Sequence, residues 1–556
     1  MTRDATPPRA TVRSDAAGED AGDPDVEEPR APVVPAAETG LVANAATAEA
    51  AAIADEARHF RGSTLLALGR FIGLALDFAT QVLIVRALAR TDYGAFAFAL
   101  SVSSLAATVG LVGLDKTISR FVPIYEQTGD QRRLAGSLVV AVSTVAFLGA
   151  AMLLAMIGLS SAAGAELVEN ELARRLLLIL FLLAPISALD SLLLSCFAIF
   201  GSARSIALRR HVVAPLLQLG AVAIVLIADQ PPEALAIGYV VAGALGVGLF
   251  AVRLLGLLRR NGILDRIRRR DMILPIGALF RFSLPLLSSD VVFLLRTSAV
   301  VILLQYLATS SEVAAYGAVL PLAKQNLLVY QSFSFLFVPA AARLFARHER
   351  ERLHDLYWRT SAWIAVATFP AFALTLSLAE PLTTLLFGPR YADAGAVLGV
   401  LAVGHYVNAA LGFNALTLRV QGAVRHIVAV DVLSAVVNVL ASLVLIGRFG
   451  ALGAALATTV TLILQNILYQ AGLVRGPIGW PERRTLGVYV QLGVVAAVLL
   501  AIQSILALPF ILGLVVAGAA SLLVVLLNRA TLRLDVYFPE LRKVPVLSRI
   551  LRSDVA

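Results

Sequence analysis

The chain has 556 residues, of which 59% are hydrophobic and 15% charged, with a mean hydropathy of +0.83. Soluble domains carry roughly 45–50% apolar and about 25% charged residues, so this composition excludes a soluble globular protein and indicates a polytopic membrane protein. The formal charge of +9 is unevenly placed, −7 over residues 1–58 and +16 over the rest. The positive charge lies largely in short loops between apolar runs, a mark of membrane topology and not of nucleic-acid binding. Cys196 is the only cysteine, so neither an internal disulfide nor a cysteine-based metal site is available.

Residues 1–58 are rich in Ala, Pro, Asp and Glu without apolar periodicity. They cannot bury enough surface to fold alone and read as a disordered cytoplasmic tail. No charged stretch followed by an apolar run marks a signal peptide there. Beyond His59, runs long enough to span, about 20 residues each, fall near 64–89, 93–114, 135–158, 176–200, 208–228, 235–257, 279–305, 313–339, 360–386, 394–418, 426–446, 450–473, 485–506 and 509–528. The expected fold is all-α, with about fourteen transmembrane helices.

The loops orient these spans. Those after even-numbered spans hold Lys116, Arg120, Arg132 and Arg133, then Arg204, Arg209 and Arg210, then six arginines between Arg259 and Arg270, and later Arg343 to Arg352 and Arg475 to Arg484. Loops after odd-numbered spans are short, and several are acidic: Glu166, Glu169 and Glu171 (with Arg174 and Arg175), Asp229 and Glu233, and Glu312. The positive-inside rule therefore places both termini in the cytoplasm of a multi-pass cell-membrane protein. The basic tail 531–556 is partly amphipathic and suited to the inner leaflet.

The chain also repeats itself. Arg70-Phe71 and Asp77 in the first span answer Arg281-Phe282 and Asp290 in the seventh. Tyr93-Gly94 and Phe121-Val122-Pro123 answer Tyr316-Gly317 and Phe337-Val338-Pro339. Gly201-Ser202-Ala203-Arg204 answers Gly422-Ala423-Val424-Arg425. The shift is six spans, an even number, so the halves share one orientation. The expected architecture is two parallel six-helix bundles, 59–258 and 279–474, around a central cavity. A basic cytoplasmic linker (259–278) joins them, and two additional helices (475–530) follow.

Ionisable groups at membrane depth are costly unless they face a cavity or a partner. Arg281, Asp290 and Arg296 share the seventh span with Pro285, and Lys324 lies in the eighth. Arg70 and Asp77 are seven residues apart on one helix face, with Gln81 about 40° further round. These seven residues are the candidate substrate-binding set. Arginine suits phosphate, because it stays charged and offers a planar fork. The structural reading is an Arg–Asp pair within each half. Arg86 reads as a snorkelling residue near its span's end. Asp190, Asp431 and His405 are candidates for coupling to H+ or Na+, or else simple interhelical hydrogen bonds. Asn408, Asn438, Gln218 and Gln465 read as interhelical glue. No phosphate-binding loop, zinc-protease motif or nucleophile elbow is present, so an enzyme and a bound cofactor are not expected.

Several runs together resemble the prokaryotic polysaccharide and oligosaccharide flippases of the multidrug/oligosaccharidyl-lipid/polysaccharide exporter superfamily. They are LARTDYGAFAFALSV (88–102), FRFSLPLL (280–287), AAYGAV (314–319), FVPAAARLF (337–345), LLFGPRYADAGAVLGVLAVG (385–404), QGAVRHIV (421–428) and GALGAALATTV (450–460). Where the family often carries an Asp, this chain reads Arg296-Thr297-Ser298. The resemblance implies that a lipid-linked oligosaccharide, on polyprenyl phosphate or diphosphate, crosses the bilayer by alternating access. A polysaccharide polymerase or glycosyltransferases are the implied protein partners. A cation-coupled multidrug exporter and a peptidoglycan lipid-precursor flippase are rivals in the same superfamily. A glycosyltransferase would need acidic motifs in large loops, and a membrane scaffold would leave the buried charges without a role.

Overall fold

The computed structural model describes residues 69–162, 171–201, 206, 208–268, 271–411, 413–476 and 478–532. The expected N-terminal tail, and all but two residues of the C-terminal one, lie outside them. Helix is the only regular structure among the described residues. The first half runs through α1 (69–87), α2 (Arg90–Leu111), α3 (Leu114–Gln127) and α4 (Gln131–Ala162). It continues with α5 (Glu171–Leu180), α6 (Leu183–Phe200), a π-helical turn at Arg209–Val213 leading into α7 (Ala214–Ile227), α8 (Pro232–Arg260) and the short α9 (Ile263–Arg268). The second half holds α10 (Ile276–Thr297), α11 (Ala299–Leu307), α12 (Ser310–Ala323), α13 (Asn326–Ala346), α14 (Arg350–Ser377) and α15 (Ala379–Phe387). It ends with α16 (Ala394–Ala410), α17 (Phe413–Val420) and α18 (Val424–Val474), after which come α19 (Arg483–Leu506) and α20 (Phe510–Leu527).

Ten of these segments are long and apolar enough to cross a membrane among the described residues, or eleven if the bent α13 counts as one span. That is fewer than the fourteen expected; the first expected span lies partly outside the described residues, and others are interrupted. The seventh breaks at Ser298 between α10 and α11, and the eighth at Lys324 and Gln325 between α12 and α13. The 51-residue α18 is two limbs folded at Gly450, whose φ of 55° and ψ of −130° are not helical. The limbs pair through Asn438 and Thr461 at 3.3 Å. The expected helix 360–386 also divides, into α14 and α15.

Large aliphatic side chains on the outer faces are bare: Ile227 is 86% exposed, Ile505 78% and Ile511 76%. Water would penalise such surfaces, whereas acyl chains solvate them. The interior is arranged in depth. At the end bearing the loops after odd-numbered spans, a single apolar core unites both halves, with Val85, Phe96 and Leu176 packed in one cluster with Tyr316, Leu398 and Ala454. Towards the basic end that core gives way to separate ones. Ile118, Leu192 and Phe250 belong to the first half's core, and Phe337, Tyr357 and Phe413 to the second's. A further cluster seats α19 and α20 on α14 and α16.

The shared core is built on the crossing of α2 with α12. A Cβ on Gly94 would run into the Ser310 carbonyl, and one on Gly317 would come within 3.5 Å of the Ala97 Cβ. Lipid offers no hydrophobic drive between helices, so small residues that let backbones approach supply the contact. The sequence repeat thus marks its own meeting place, because Tyr93-Gly94 and Tyr316-Gly317 face each other here. Gly94→Ala is expected to cost about 1–3 kcal/mol by overpacking. Gly220→Ala, where the added carbon meets nothing within 4 Å, should be neutral or stabilising. Thermal unfolding in detergent would show the two variants shifting alike if the crossing were loose.

Candidate functional site

At the end opposite the basic loops, arginines tie the halves together through backbone carbonyls. Arg86 donates from Nε to the Leu386 oxygen at 2.7 Å. Arg90 forms two-pronged contacts with Asp393 at 2.6 and 2.8 Å and reaches the Arg390 oxygen at 2.8 Å. Arg390 returns the contact, donating to the Val85 and Arg86 oxygens at 2.7 Å. Thr309 caps α12, and the Glu312 carboxylate accepts from the Ala451 amide at 2.6 Å at the α18 fold. Gln81, a candidate ligand by sequence, donates to the Gly317 and Ala318 oxygens at 3.1 and 3.3 Å. Arg86 is therefore an interhelical clasp and not a snorkelling side chain.

Both crossing helices break below this closure. Between α2 and α3, Val112 and Gly113 take left-handed conformations with φ of 52° and 67°. Beyond the break α3 packs on α4 and α6, while α13 packs on α14 and α17, each within its own half. The halves still meet there where α10 lies against α3 and, more lightly, α4. Gly113 lies against the Ser283 carbonyl, Phe121 meets Phe282 edge to face at 5.6 Å, and Arg120 sits 4.5 Å above the Phe282 ring. Lys116 forms an ion pair with Asp290. Lys116 is helical and not a loop residue, and Asp290 pairs across the halves instead of with an arginine of its own span.

Two arginines of the candidate set have described side chains. Arg70 on α1 and Arg281 on α10, which match in the repeat, have neither an ion pair nor a hydrogen bond among the described residues. Arg281 is exposed and Arg70 half-buried. Arg70 lies within electrostatic reach of Arg210, because α1 packs on the π-helical turn. A Cβ on Gly73 would stand 2.8 Å from the His211 carbonyl. Asp77, one face with Arg70, lies near Tyr239 of α8. Both arginines sit towards the basic end, where the two cores are separate. Each half thus contributes one guanidinium, a group whose planar fork suits an oxyanion.

The other candidates are placed as follows. Lys324 occupies the break between α12 and α13 and has a partner of its own. The Arg296 side chain lies outside the described residues. Asp190 pairs with Arg209 at 2.9 Å, beneath the Phe250 ring, so Arg209 belongs to the helix and not to a basic loop. Asp431 accepts from Gln465 at 2.7 Å and Tyr469 at 2.6 Å. Asn408, Asn414 and Asn466 form a chain of amide contacts beside them. His405 is buried in α16.

A family model described as polysaccharide biosynthesis protein matches residues 60–345. A probable low-salt glycan biosynthesis flippase, Agl15 of Haloferax volcanii, is 23% identical over 164 residues, 29% of this chain and 34% of that protein. The chain thus spans about a third of the length of that curated relative. The fold is shared with the lipid II flippase MurJ in an inward closed conformation (TM-score 0.64, 11% identity, 86% of this chain and 99% of that one). It is shared too with an inward-facing multidrug resistance transporter of the MATE family (TM-score 0.60, 16% identity, 74% and 98%).

The Lys116–Asp290 pair is partly exposed, so its worth is modest. A double-mutant cycle with Lys116→Met and Asp290→Asn, read by thermal unfolding in detergent, should give a coupling of about 0.5–2 kcal/mol. Strict additivity would mean that the halves are not joined there.

Proposed function

This chain belongs to the polysaccharide biosynthesis protein family, and from that premise we propose that it flips a polyprenyl phosphate- or diphosphate-linked oligosaccharide across the cell membrane by alternating access. The observation that carries this reading is the pair Arg70 and Arg281, one cation from each half, without a protein counterion among the described residues. A guanidinium without a carboxylate partner is open to an anion, and a lipid phosphate supplies the missing charge. A cationic drug would be repelled there, which sets the exporter reading behind. The glycan flippase Agl15 and the lipid II flippase MurJ, by their names, support a lipid-linked substrate.

In this reading the bundles 59–258 and 279–474 rock about the α2–α12 crossing, and the basic loops lie in the cytoplasm with both termini. The arginine clasps then seal the outer face, and the substrate enters from the inner leaflet between the separated cores. Sugars stay hydrated while the phosphates pass from Arg70 and Arg281 to the outer leaflet. Product drawn off by a polymerase or glycosyltransferase, an ion gradient or the membrane potential supplies direction.

The test is leaflet-resolved flipping of a fluorescent polyprenyl-diphosphate oligosaccharide in proteoliposomes. Charge-assisted contacts are worth about 1.5–3 kcal/mol, so Arg70→Ala and Arg281→Ala should each slow flipping by roughly tenfold to a hundredfold. Folded variants that flip at the wild-type rate would remove the arginines from the mechanism, and an inactive wild type would remove the substrate class. In a Cys196→Ser background, cysteines replacing Arg90 and Asp393 and bridged by a short bis-thiosulfonate should arrest flipping until reduced. Unimpeded flipping with the bridge in place would rule out opening at that end.

A further inference from the structure

A cavity lies away from Arg70 and Arg281, between α13 and α14 near the basic end, with a volume of about 650 Å³. It opens where α13 bends by 44° between its segments Asn326–Ser334 and Phe337–Ala346. Its wall is graded in depth. Arg352 and Arg359 are seven residues apart, so they share one face of α14, with Asp355 between them. Trp363 is one turn deeper, and Phe333 and Phe337 of the antiparallel α13 stand at the depth of Trp363 and Arg359. From Arg352 to Trp363 the helix rises about 16 Å. That is enough to run from the headgroup layer into the hydrocarbon of a bilayer whose apolar core is about 30 Å thick.

Charge favours an anion at the shallow end. Residues 343–359 carry five arginines against three carboxylates. Arg352 has its carboxylate in Glu349, 2.7 Å away on the same turn, and its side chain is 75% exposed. Such a surface pair is weak and leaves guanidinium hydrogens for another acceptor. Neither a soluble phosphate nor a neutral lipid uses the whole wall, because one has nothing for the aromatic floor and the other nothing for the cationic rim.

We propose that this cavity binds an anionic phospholipid of the surrounding bilayer, its phosphate on Arg352 and Arg359 and its upper acyl chains against Trp363, Phe333 and Phe337. The occupant wedges the bend of α13 from the side away from α12. The site is independent of what the protein transports.

Native mass spectrometry of the full chain in detergent, titrated with phosphatidylglycerol and phosphatidylcholine, tests it. Each arginine near a membrane surface contributes about fivefold, so Arg352→Gln with Arg359→Gln should weaken phosphatidylglycerol retention by roughly thirtyfold. Arg343→Gln with Arg347→Gln, equal in charge change but outside the cavity, should leave it near wild type. Chains brominated near the headgroup should quench tryptophan fluorescence in the wild type and do so less in Trp363→Phe. Equal retention of the two lipids, or equal loss in both double variants, overturns the site. Displacement of phosphatidylglycerol by undecaprenyl phosphate at equal concentration would assign the cavity to the transported class of lipid and overturn the bilayer-lipid assignment.

Discussion

The contact between α2 and α12 is the constraint on which the remaining structure depends. Hydrophobic side chains gain little by leaving lipid for one another, so two halves of a membrane protein hold together only where surfaces fit closely or polar groups meet. Gly94 and Gly317 permit the fit, and Gln81 adds hydrogen bonds across it. Because this contact is confined to one end, a common core exists only there. The separation of the cores at the other end follows from the same placement, and so does the exposure of Arg281.

The charges sort themselves on that frame. Arg86, Arg90 and Arg390 find carbonyls or a carboxylate in the closed end, and Asp190 and Lys116 find partners inside the helices. Of the candidate set, Arg70 and Arg281 have no such partner among the described residues. Paired ions report what holds the fold together, whereas uncompensated ones report what the fold awaits.

Much of this was legible in the chain. Apolar runs located nearly every helix, since a span must be long and apolar whatever its neighbours. The repeat pointed to two related halves, and its Tyr-Gly pairs stand where the halves cross, which the sequence alone did not disclose. Breaks were harder to see. Lys116 and Arg209 read as loop cations because charge usually ends a span, whereas α3 and the π-helical turn carry the helix past them. The partner of Asp290 was hidden for a different reason. It comes from another span, and which residues face each other there depends on crossing geometry and not on local periodicity. The carbonyl partners of Gln81 and Arg86 were hidden on the same ground, because a polar group on a helix face does not disclose whether carbonyls will stand opposite.

Val112 has one more meaning. It is β-branched, nearly buried and held at a φ of 52°, a conformation costing about 1–2 kcal/mol for such a residue. An unbroken helix through this point would not carry that strain, so the packing around the kink must hold it. Glycine at this position would remove the strain and favour the bent form.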